Sequence, residues 1–416
     1  MSNGKNRARA RDRARRPGLA GQPNATDGTS PRRILWASNA PWAPTGYGEQ
    51  TQQAIYRIRQ DGHEVAVAAN YGLEAMTTEW DGFKVYPRGF DAYSNDVIPA
   101  YAMDWGKPTG RQPLVITLFD CWVFRGGGWD VLEQIASWVP IDHFPVPPAV
   151  AEWLRRPTVT PIAMSKFGAD AMDRLDIENK YIPHAIDLRT FKPTEKIIGT
   201  EGAIEARRWI DVPDDAYLVG MVSANKGTHD RKSFSEAFLA MSMVMQSNPD
   251  VWLYLHTEPS PAMQGIDLRA LLNATGVPAD RVRFVDSYSY RMGIPKEALA
   301  AIYSSLDLLL APSRGEGFGI PVVEAQACGT PVVVSNATAQ PELVGDGLAV
   351  DVQPLWDSTQ GAWWFTPHVP ALVDAIQQMV SRGGGRSLKA IEFAKQYDAD
   401  AVYADSWRSL LKELTA

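Results

Sequence analysis

The sequence predicts an α/β protein built from two doubly wound, Rossmann-like domains that face each other across a cleft. Three observations carry that prediction. The chain has 416 residues and is 45% hydrophobic, too long for one ordinary core and enough for about two domains of 150 to 200 residues. Apolar segments with strand spacing and helix spacing alternate in two successive series, the pattern of parallel sheets with crossover helices. Between the series, from Leu188 to Asp215, the chain is polar and broken by prolines ("FKPTEK", "DVPDD"), as interdomain connections are.

Residues 1–16 hold seven Lys/Arg (Lys5, Arg7, Arg9, Arg11, Arg13, Arg15, Arg16) against one acid, Asp12, in a chain of formal net charge −7. With the Gly, Pro, Asn, Ser and Thr that follow, residues 1–31 carry too little apolar surface to offset their ordering entropy, so a disordered basic tail is expected. Such an arm could hold nucleic acid, an anionic membrane or an acidic partner, but a plain solubilising tail is the simpler reading, an organelle transit peptide is a third, and the acidic body argues against nucleic acid as the main ligand. No apolar run approaches the ~20 residues that span a bilayer, and no signal-peptide stretch is read at the N-terminus. Cys121 and Cys328 lie far apart in apolar surroundings with no CxxC; they read as reduced core residues of a soluble, cytoplasmic protein.

The first domain is expected over 32–190. "RRILWASN" reads as a strand, "EQTQQAIYRIRQDG" as a helix closed by Gly62, and "HEVAVAAN" as the next strand. "LVITLF" (114–119), "TPIAMS" (160–165) leading into a helix from Lys166, and "KYIPHAID" supply further strands. After the linker at 191–214 the second domain is expected over 215–396. Its strands are "AYLVGMVS", "VWLYLHT", "RVRFVDS", "DLLLAPS" and "TPVVVS", and its helices "KSFSEAFLAMSMVMQ", "DLRALLNATG" and "KEALAAIYSSL". The C-terminal segment 397–416 has Val402, Trp407, Leu410, Leu411 and Leu414 at helical spacing. A ligand cleft is expected at the carboxyl ends of the strands.

One stretch, "SRGEGFGIPVVEAQACGTPVVVSN" (313–336), sets Glu316 and Glu324 on either side of a glycine turn. Pro321 suits the first turn of the following helix, where no N–H is needed. The glycines let the backbone of Gly317, Phe318, Gly319 and Ile320 approach a ligand, and the helix N-terminus favours an anion such as a phosphate. Glu324, about one turn in, is placed for the vicinal hydroxyls of a ribose, and Glu316 for the other end of the same ligand. Hydroxyls at both ends of a diphosphate describe a nucleotide sugar.

The run "EGFGIPVVEAQACGTPVV" resembles the E-x7-E motif of the retaining glycosyltransferase family four, whose fold is GT-B, two Rossmann-like domains; the resemblance extends over about 33–411. The family places a basic pair after the first strand of the second domain to grip the donor diphosphate. In "SANKGTHDRKSFSEAF" the first place is held by Asn225 and Lys226 and the second by Arg231 and Lys232, a departure from the usual Arg and Lys, and Arg231 and Lys232 are the implied pair. "SNAPWAPTGYGEQTQQAI" is similar to the family's first-domain loop, which implies that Gly46, Tyr47 and Gly48 approach the sugar phosphate and acceptor. "IPHAIDLRTFKP" is similar to the family's hinge segment, and the C-terminal helix is implied to cross back onto the first domain. "NAPWAPTGYG" looks like bacterial and bacteriophage members.

Asp120 follows "LVITLF" directly, where relatives carry a polar residue facing the acceptor; it could orient or deprotonate an acceptor hydroxyl, or cap the following turn. The D-x-D spelling Asp398-Ala399-Asp400 fits helix capping better than metal binding, so no metal and no cofactor beyond the donor is expected. His184 and His256 read as core groups, and no HxxxH spacing points to zinc. Eight of the fourteen tryptophans fall between 36 and 153; Trp42 and Trp122 lie near cleft loops and could stack on an acceptor, while core packing accounts for most of the rest. The resemblance implies a retaining, metal-independent transfer of a sugar from a nucleotide-diphosphate sugar to a glycan, protein or small-molecule acceptor. Departure of the diphosphate would be aided by Arg231 and Lys232, with Glu316 on the sugar and Glu324 on the ribose. The alternatives are a GT-B epimerase or phosphorylase, a non-catalytic nucleotide-sugar-binding protein, and a nucleic-acid binder working through the basic tail.

Overall fold

The computed structural model describes residues 32–199, 202–227 and 229–415; the basic tail expected over 1–31 lies outside the described residues. The first sheet is formed by β1 (Arg33–Ser38), β2 (Glu64–Ala69), β3 (Thr78–Trp80), β4 (Phe83–Tyr86), β5 (Leu114–Leu118), β6 (Ile135–Val139), β7 (Val159–Ala163) and β8 (Lys180–Tyr181). Their order is β3-β4-β2-β1-β5-β6-β7-β8, parallel throughout except where β3 runs antiparallel to β4. β5, β6 and most of β1 and β2 are buried along their length, as expected for strands covered by helices on both faces.

After a hairpin of β9 (Lys196–Gly199) and β10 (Gly202–Glu205), the second sheet comprises β11 (Tyr217–Val222), β12 (Val251–His256), β13 (Val282–Phe284), β14 (Leu308–Ala311), β15 (Val332–Ser335) and β16 (Gly347–Val350). Its order, β13-β12-β11-β14-β15-β16, is parallel throughout. In both sheets the order reverses beside the first strand, between β1 and β5 and between β11 and β14. Such switch points open a crevice at the carboxyl ends of the strands. A second antiparallel hairpin, β17 (Val352–Asp357) with β18 (Ala362–Pro367), leaves the second domain immediately after β16.

The apolar residues divide by strand face. Ile34 and Trp36 belong to a cluster that runs without a break into the second domain, whereas Leu35 and Ala37 face a cluster confined to the first. A third cluster covers the other face of the second sheet. The shared middle cluster also takes in Val402, Trp407, Leu410, Leu411 and Leu414 from the C-terminal segment. Trp407 lies 5.7 Å from Trp36 and 5.0 Å from Trp138, ring to ring. A π-type turn over Tyr403–Trp407 interrupts that segment between Ala399–Val402 and Arg408–Thr415.

The structure adds to or corrects several sequence expectations. The strand expected in "KYIPHAID" pairs only over Lys180–Tyr181, because Pro183 has no N–H for the ladder. Beyond it, the Gln50 side chain takes the place of a strand neighbour, donating to the Ala185 carbonyl at 2.7 Å and accepting from its N–H at 3.2 Å. Within the connection expected to be irregular, β9 and β10 pair, and the short helix Ala206–Trp209 follows. Arg207 anchors that helix, reaching the Ala216 carbonyl at 2.6 Å and Asp307 at 2.7 Å. The sequence reading named no strand at β3, β4, β6, β16 or the β17–β18 hairpin.

Candidate active site

The cleft-facing loops follow β1, β5 and β6 in the first domain and β11 and β14 in the second. After β1 the chain turns into the helix Gly46–Gln60, whose N-cap Thr45 accepts from the Gly48 N–H at 3.0 Å. Gly48 serves its own loop, since a Cβ there would lie 2.3 Å from the Ala43 carbonyl oxygen. Gly46 meets the other domain: a Cβ there would sit 3.2 Å from Ile320 Cδ1.

Two further glycines record how closely the domains approach. A Cβ on Gly315 would lie 2.0 Å from the Asp142 carbonyl oxygen, and one on Gly317 2.2 Å from Pro140 Cβ. The loop carrying Glu316 is therefore seated directly on the loop that follows β6. Gly319, with φ +117°, occupies the N-cap position of the helix Ile320–Ala327, and Pro321 lies in its first turn. A left-handed backbone at that place is what glycine permits without steric cost. Helix N-termini leave their first N–H groups unpaired, here on the cleft side of Phe318, Gly319 and Ile320.

Glu316 is clasped by both expected cations. Arg231 Nη1 lies 3.1 Å from Glu316 Oε2 and also donates to the Gly315 carbonyl at 2.8 Å, and Lys232 Nζ pairs with Oε1. Burial alone would raise the Glu316 carboxyl, but Lys232 and Arg231 pull it down to about 2. Glu324 is in the opposite situation. It is buried inside its helix, Oε2 accepts from the Tyr303 hydroxyl at 2.9 Å, and burial pushes it up to about 7. Nearby, Lys296 of the second domain pairs with Glu49 of the first and donates to Gln52 at 3.0 Å, bridging the cleft.

Asp120 stands after β5 beside Tyr47, Asp142 and Arg231. Its carboxylate is open to water at the cleft floor yet enclosed by both domains. That enclosure, with the adjacent Asp142 charge, raises it to about 6 against the pull of Arg231. His184, read from the sequence as a core group, is buried between Trp138 at 4.4 Å and Phe318 at 5.4 Å, with Tyr47 at 6.4 Å. Burial lowers its imidazole to about 3, so it stays neutral. Asp142 and His143 were missed, because the run "VPIDHFPVPP" shows no spacing that signals chemistry. They became visible only when β6 delivered them to the cleft.

Of the residues singled out from the sequence, Tyr47, Asp120, Arg231, Lys232, Glu316 and the turn Gly317, Phe318, Gly319, Ile320 converge, and Glu324 lies one turn behind them. Asn225, expected at the donor, is corrected. Its amide donates to the carbonyls of Glu258 at 3.0 Å and Ile266 at 2.7 Å and accepts from the Ile266 N–H at 2.9 Å, so it staples the 258–266 loop. Lys226 is exposed, with Nζ 5.8 Å from the ring centre of Tyr71 across the cleft. Asp398 caps the helix behind it through the Asp400 and Ala401 N–H groups, both at 3.0 Å, and Asp400 pairs with Arg57 at 2.6 Å. Among the described residues no cluster of His, Cys, Asp and Glu is arranged to hold a metal ion, and no helix is long and apolar enough to cross a membrane.

Two facing Rossmann-like domains with a site between their strand ends define the GT-B class, and comparison with solved structures agrees. Sucrose-phosphate synthase from Thermosynechococcus elongatus superposes with a TM-score of 0.68 at 19% identity, covering 92% of this chain and 99% of that one. WaaG, a glycosyltransferase involved in lipopolysaccharide biosynthesis, gives 0.60 at 14% identity, covering 92% and 98%. At such identities the likeness concerns the fold. In sequence, residues 221–382 match the family described as Glycosyl transferases group 1. Among curated relatives, D-inositol 3-phosphate glycosyltransferase of Segniliparus rotundus is 27% identical over 250 residues, 60% of this chain and 50% of that protein. GDP-mannose-dependent alpha-(1-6)-phosphatidylinositol dimannoside mannosyltransferase of Mycobacterium tuberculosis is 29% identical over 202 residues, 47% of this chain and 46% of that protein. The chain thus spans about half the length of the curated relatives it matches.

Proposed function

We propose that this protein is a retaining glycosyltransferase that moves a sugar from a nucleotide-diphosphate sugar to a hydroxyl of a glycan, protein or small-molecule acceptor. One observation carries the reading. Glu316, held by Arg231 and Lys232, and Glu324, buried with Tyr303, stand at the two ends of a single glycine turn and helix start. In this reading the nucleotide lies along that turn, with its ribose hydroxyls toward Glu324, its diphosphate before the Phe318, Gly319 and Ile320 N–H groups, and its sugar toward Glu316.

Departure of the diphosphate builds negative charge on its oxygens, and preorganised donors stabilise such charge best where water is excluded. Arg231 and Lys232 are placed to exchange part of their hold on Glu316 for the leaving oxygens, so the reading requires no metal ion and no cofactor. The acceptor enters from the first-domain wall at Tyr47 and Asp120 and attacks the face that the diphosphate leaves. The seating of Gly315 and Gly317 on Asp142 and Pro140 supports a closed site that limits loss of the donor to water. The buried, unpaired Cys121 and Cys328 support a cytoplasmic setting.

The test is a screen of UDP-, GDP- and ADP-sugars that follows thermal shift and donor hydrolysis together, with Glu324→Ala as control. The expected result is one nucleotide class that stabilises the wild type and is slowly hydrolysed, with both effects lost in the variant. Absence of binding to every nucleotide sugar, or binding indifferent to Glu324, would overturn the reading.

A further inference from the structure

Resting on the sugar-transfer reading, we propose that Asp142 is the carboxylate that receives the acceptor hydroxyl, with His143 and Asp357 as its positioning residues. Asp142 lies on the loop after β6, where its carbonyl oxygen touches the Gly315 turn beside Glu316. Its Oδ1 is engaged by His143 Nδ1 at 2.7 Å, which leaves Oδ2 of this partly exposed side chain for a ligand. On the far side, His143 Nε2 stands 3.3 Å from Asp357 Oδ2. Asp357 is itself fixed, because its Oδ1 accepts from the Thr359 N–H at 2.8 Å.

The arrangement spans both domains. Asp142 and His143 belong to the first, while Asp357 comes from the β17–β18 hairpin of the second. The hairpin also pairs its backbone with the first domain, Phe144 N–H to the Trp363 carbonyl at 3.1 Å and Trp363 N–H to the Phe144 carbonyl at 2.9 Å. Trp364 stacks on the His143 ring at 4.9 Å and 23°, and Phe365 N–H donates to the Arg314 carbonyl at 2.9 Å, two residues before Glu316. The imidazole is thus fixed at both nitrogens and one face, and His143 is almost wholly buried. A ring held this way fixes the orientation of the carboxylate it touches.

Asp120, the neighbour that sequence reasoning offered for this role, has Tyr47 and the shared Arg231 beside it but no counterpart of the His143–Asp357 pair. Two adjacent carboxylates resist carrying charge together, and the one with cationic or hydrogen-bond-donor partners keeps it. Arg231 draws on both carboxylates, and it is the His143 hydrogen bond that gives the advantage to Asp142. A charged Asp142 accepts the proton of the attacking hydroxyl as the new glycosidic bond forms and the bond from the sugar to the diphosphate breaks, while Asp120 beside it holds a proton more readily. Because half the support comes from the second domain, the acceptor's carboxylate is set only when the hairpin is docked.

The experiment measures transfer to acceptor and acceptor-free donor hydrolysis side by side in the full chain, for wild type, Asp142→Asn, His143→Ala, His143→Gln and Asp357→Asn. Asp142→Asn is expected to lower kcat/KM for acceptor about 100-fold, at least tenfold more than it lowers donor hydrolysis, with the melting temperature unchanged. His143→Ala and Asp357→Asn are expected to lose about tenfold, and His143→Gln, which puts an amide donor in place of the imidazole N–H, to recover part of it. Parallel loss of hydrolysis and transfer in Asp142→Asn, or full activity in that variant, overturns the inference alone. A wild type that turns over no nucleotide sugar overturns the transfer reading, and this inference with it.

Discussion

Tyr303 donates a 2.9 Å hydrogen bond to Glu324 inside the second domain, so the acid nearest the expected ribose carries a partner before any ligand arrives. Burial places that carboxyl at about 7, above its ordinary 4.5. An acid whose folded value is raised binds its proton more tightly when folded. Its cost to stability therefore grows as pH rises from about 4.5 to about 7 and is constant above that. Glu324→Gln removes the titration. Compared by urea unfolding, the variant is expected to gain on the wild type between pH 5 and pH 8, by on the order of 2 kcal/mol, while losing nucleotide binding.

Glu316 titrates in the other sense. Its folded value of about 2 lies below the ordinary 4.5, so its contribution is complete above about pH 4.5 and is lost as pH falls toward 2. At pH 7, Glu316→Gln leaves Arg231 and Lys232 free. The variant is expected to bind a nucleoside diphosphate at least as well as wild type by calorimetry, yet to lose about 100-fold or more in turnover. Arg231→Ala with Lys232→Ala is expected to lose both.

Gly317→Ala places a methyl group where Pro140 Cβ stands, 2.2 Å away. Neither backbone can yield without parting the two loops. The expected result is a wider particle in small-angle scattering with little change in circular dichroism, and loss of turnover.

Trp407→Ala removes the ring that fills the space between Trp36 and Trp138. Large-to-small changes of this kind cost about 3 to 5 kcal/mol. Because the middle cluster is shared by both domains, the loss is expected to lower a single unfolding transition, read by denaturant melts followed by fluorescence and by circular dichroism.

How much of this was legible in the sequence depended on how local each signal was. Strands such as β1, β5, β11 and β14 are short apolar runs ending in polar loops, and among the residues that follow them the family resemblance picked out Tyr47, Asp120, Arg231, Lys232 and Glu316. The β3–β4 hairpin did carry a signal, Asp81-Gly82, both with positive φ, the dipeptide that favours tight hairpins. It was passed over because β3 is only three residues long. In the β17–β18 hairpin, Pro354 argued against a strand, and the pairing survives because this two-stranded unit has an open edge. His143 was beyond local reading, since its partner Asp357 lies 214 residues away. Asn225 misled for the same reason: its partners are backbone groups more than 30 residues downstream.

The chain passes between the domains at Ile186 and again at Asp398, and the two passages run side by side, joined by bonds from Ile186 N–H to the Tyr397 carbonyl and from Ala399 N–H to the Ile186 carbonyl, both 2.9 Å. Together they form a single joint between the domains. Phe318, in the middle of the glycine turn, stands beside it, 5.4 Å from His184 and 5.5 Å from Tyr397. Points near a rotation axis travel least. A rotation about that joint would sweep the more distant walls apart while leaving the turn that would cradle the diphosphate almost where it was, so substrates could be exchanged without dismantling the seat on which they are positioned.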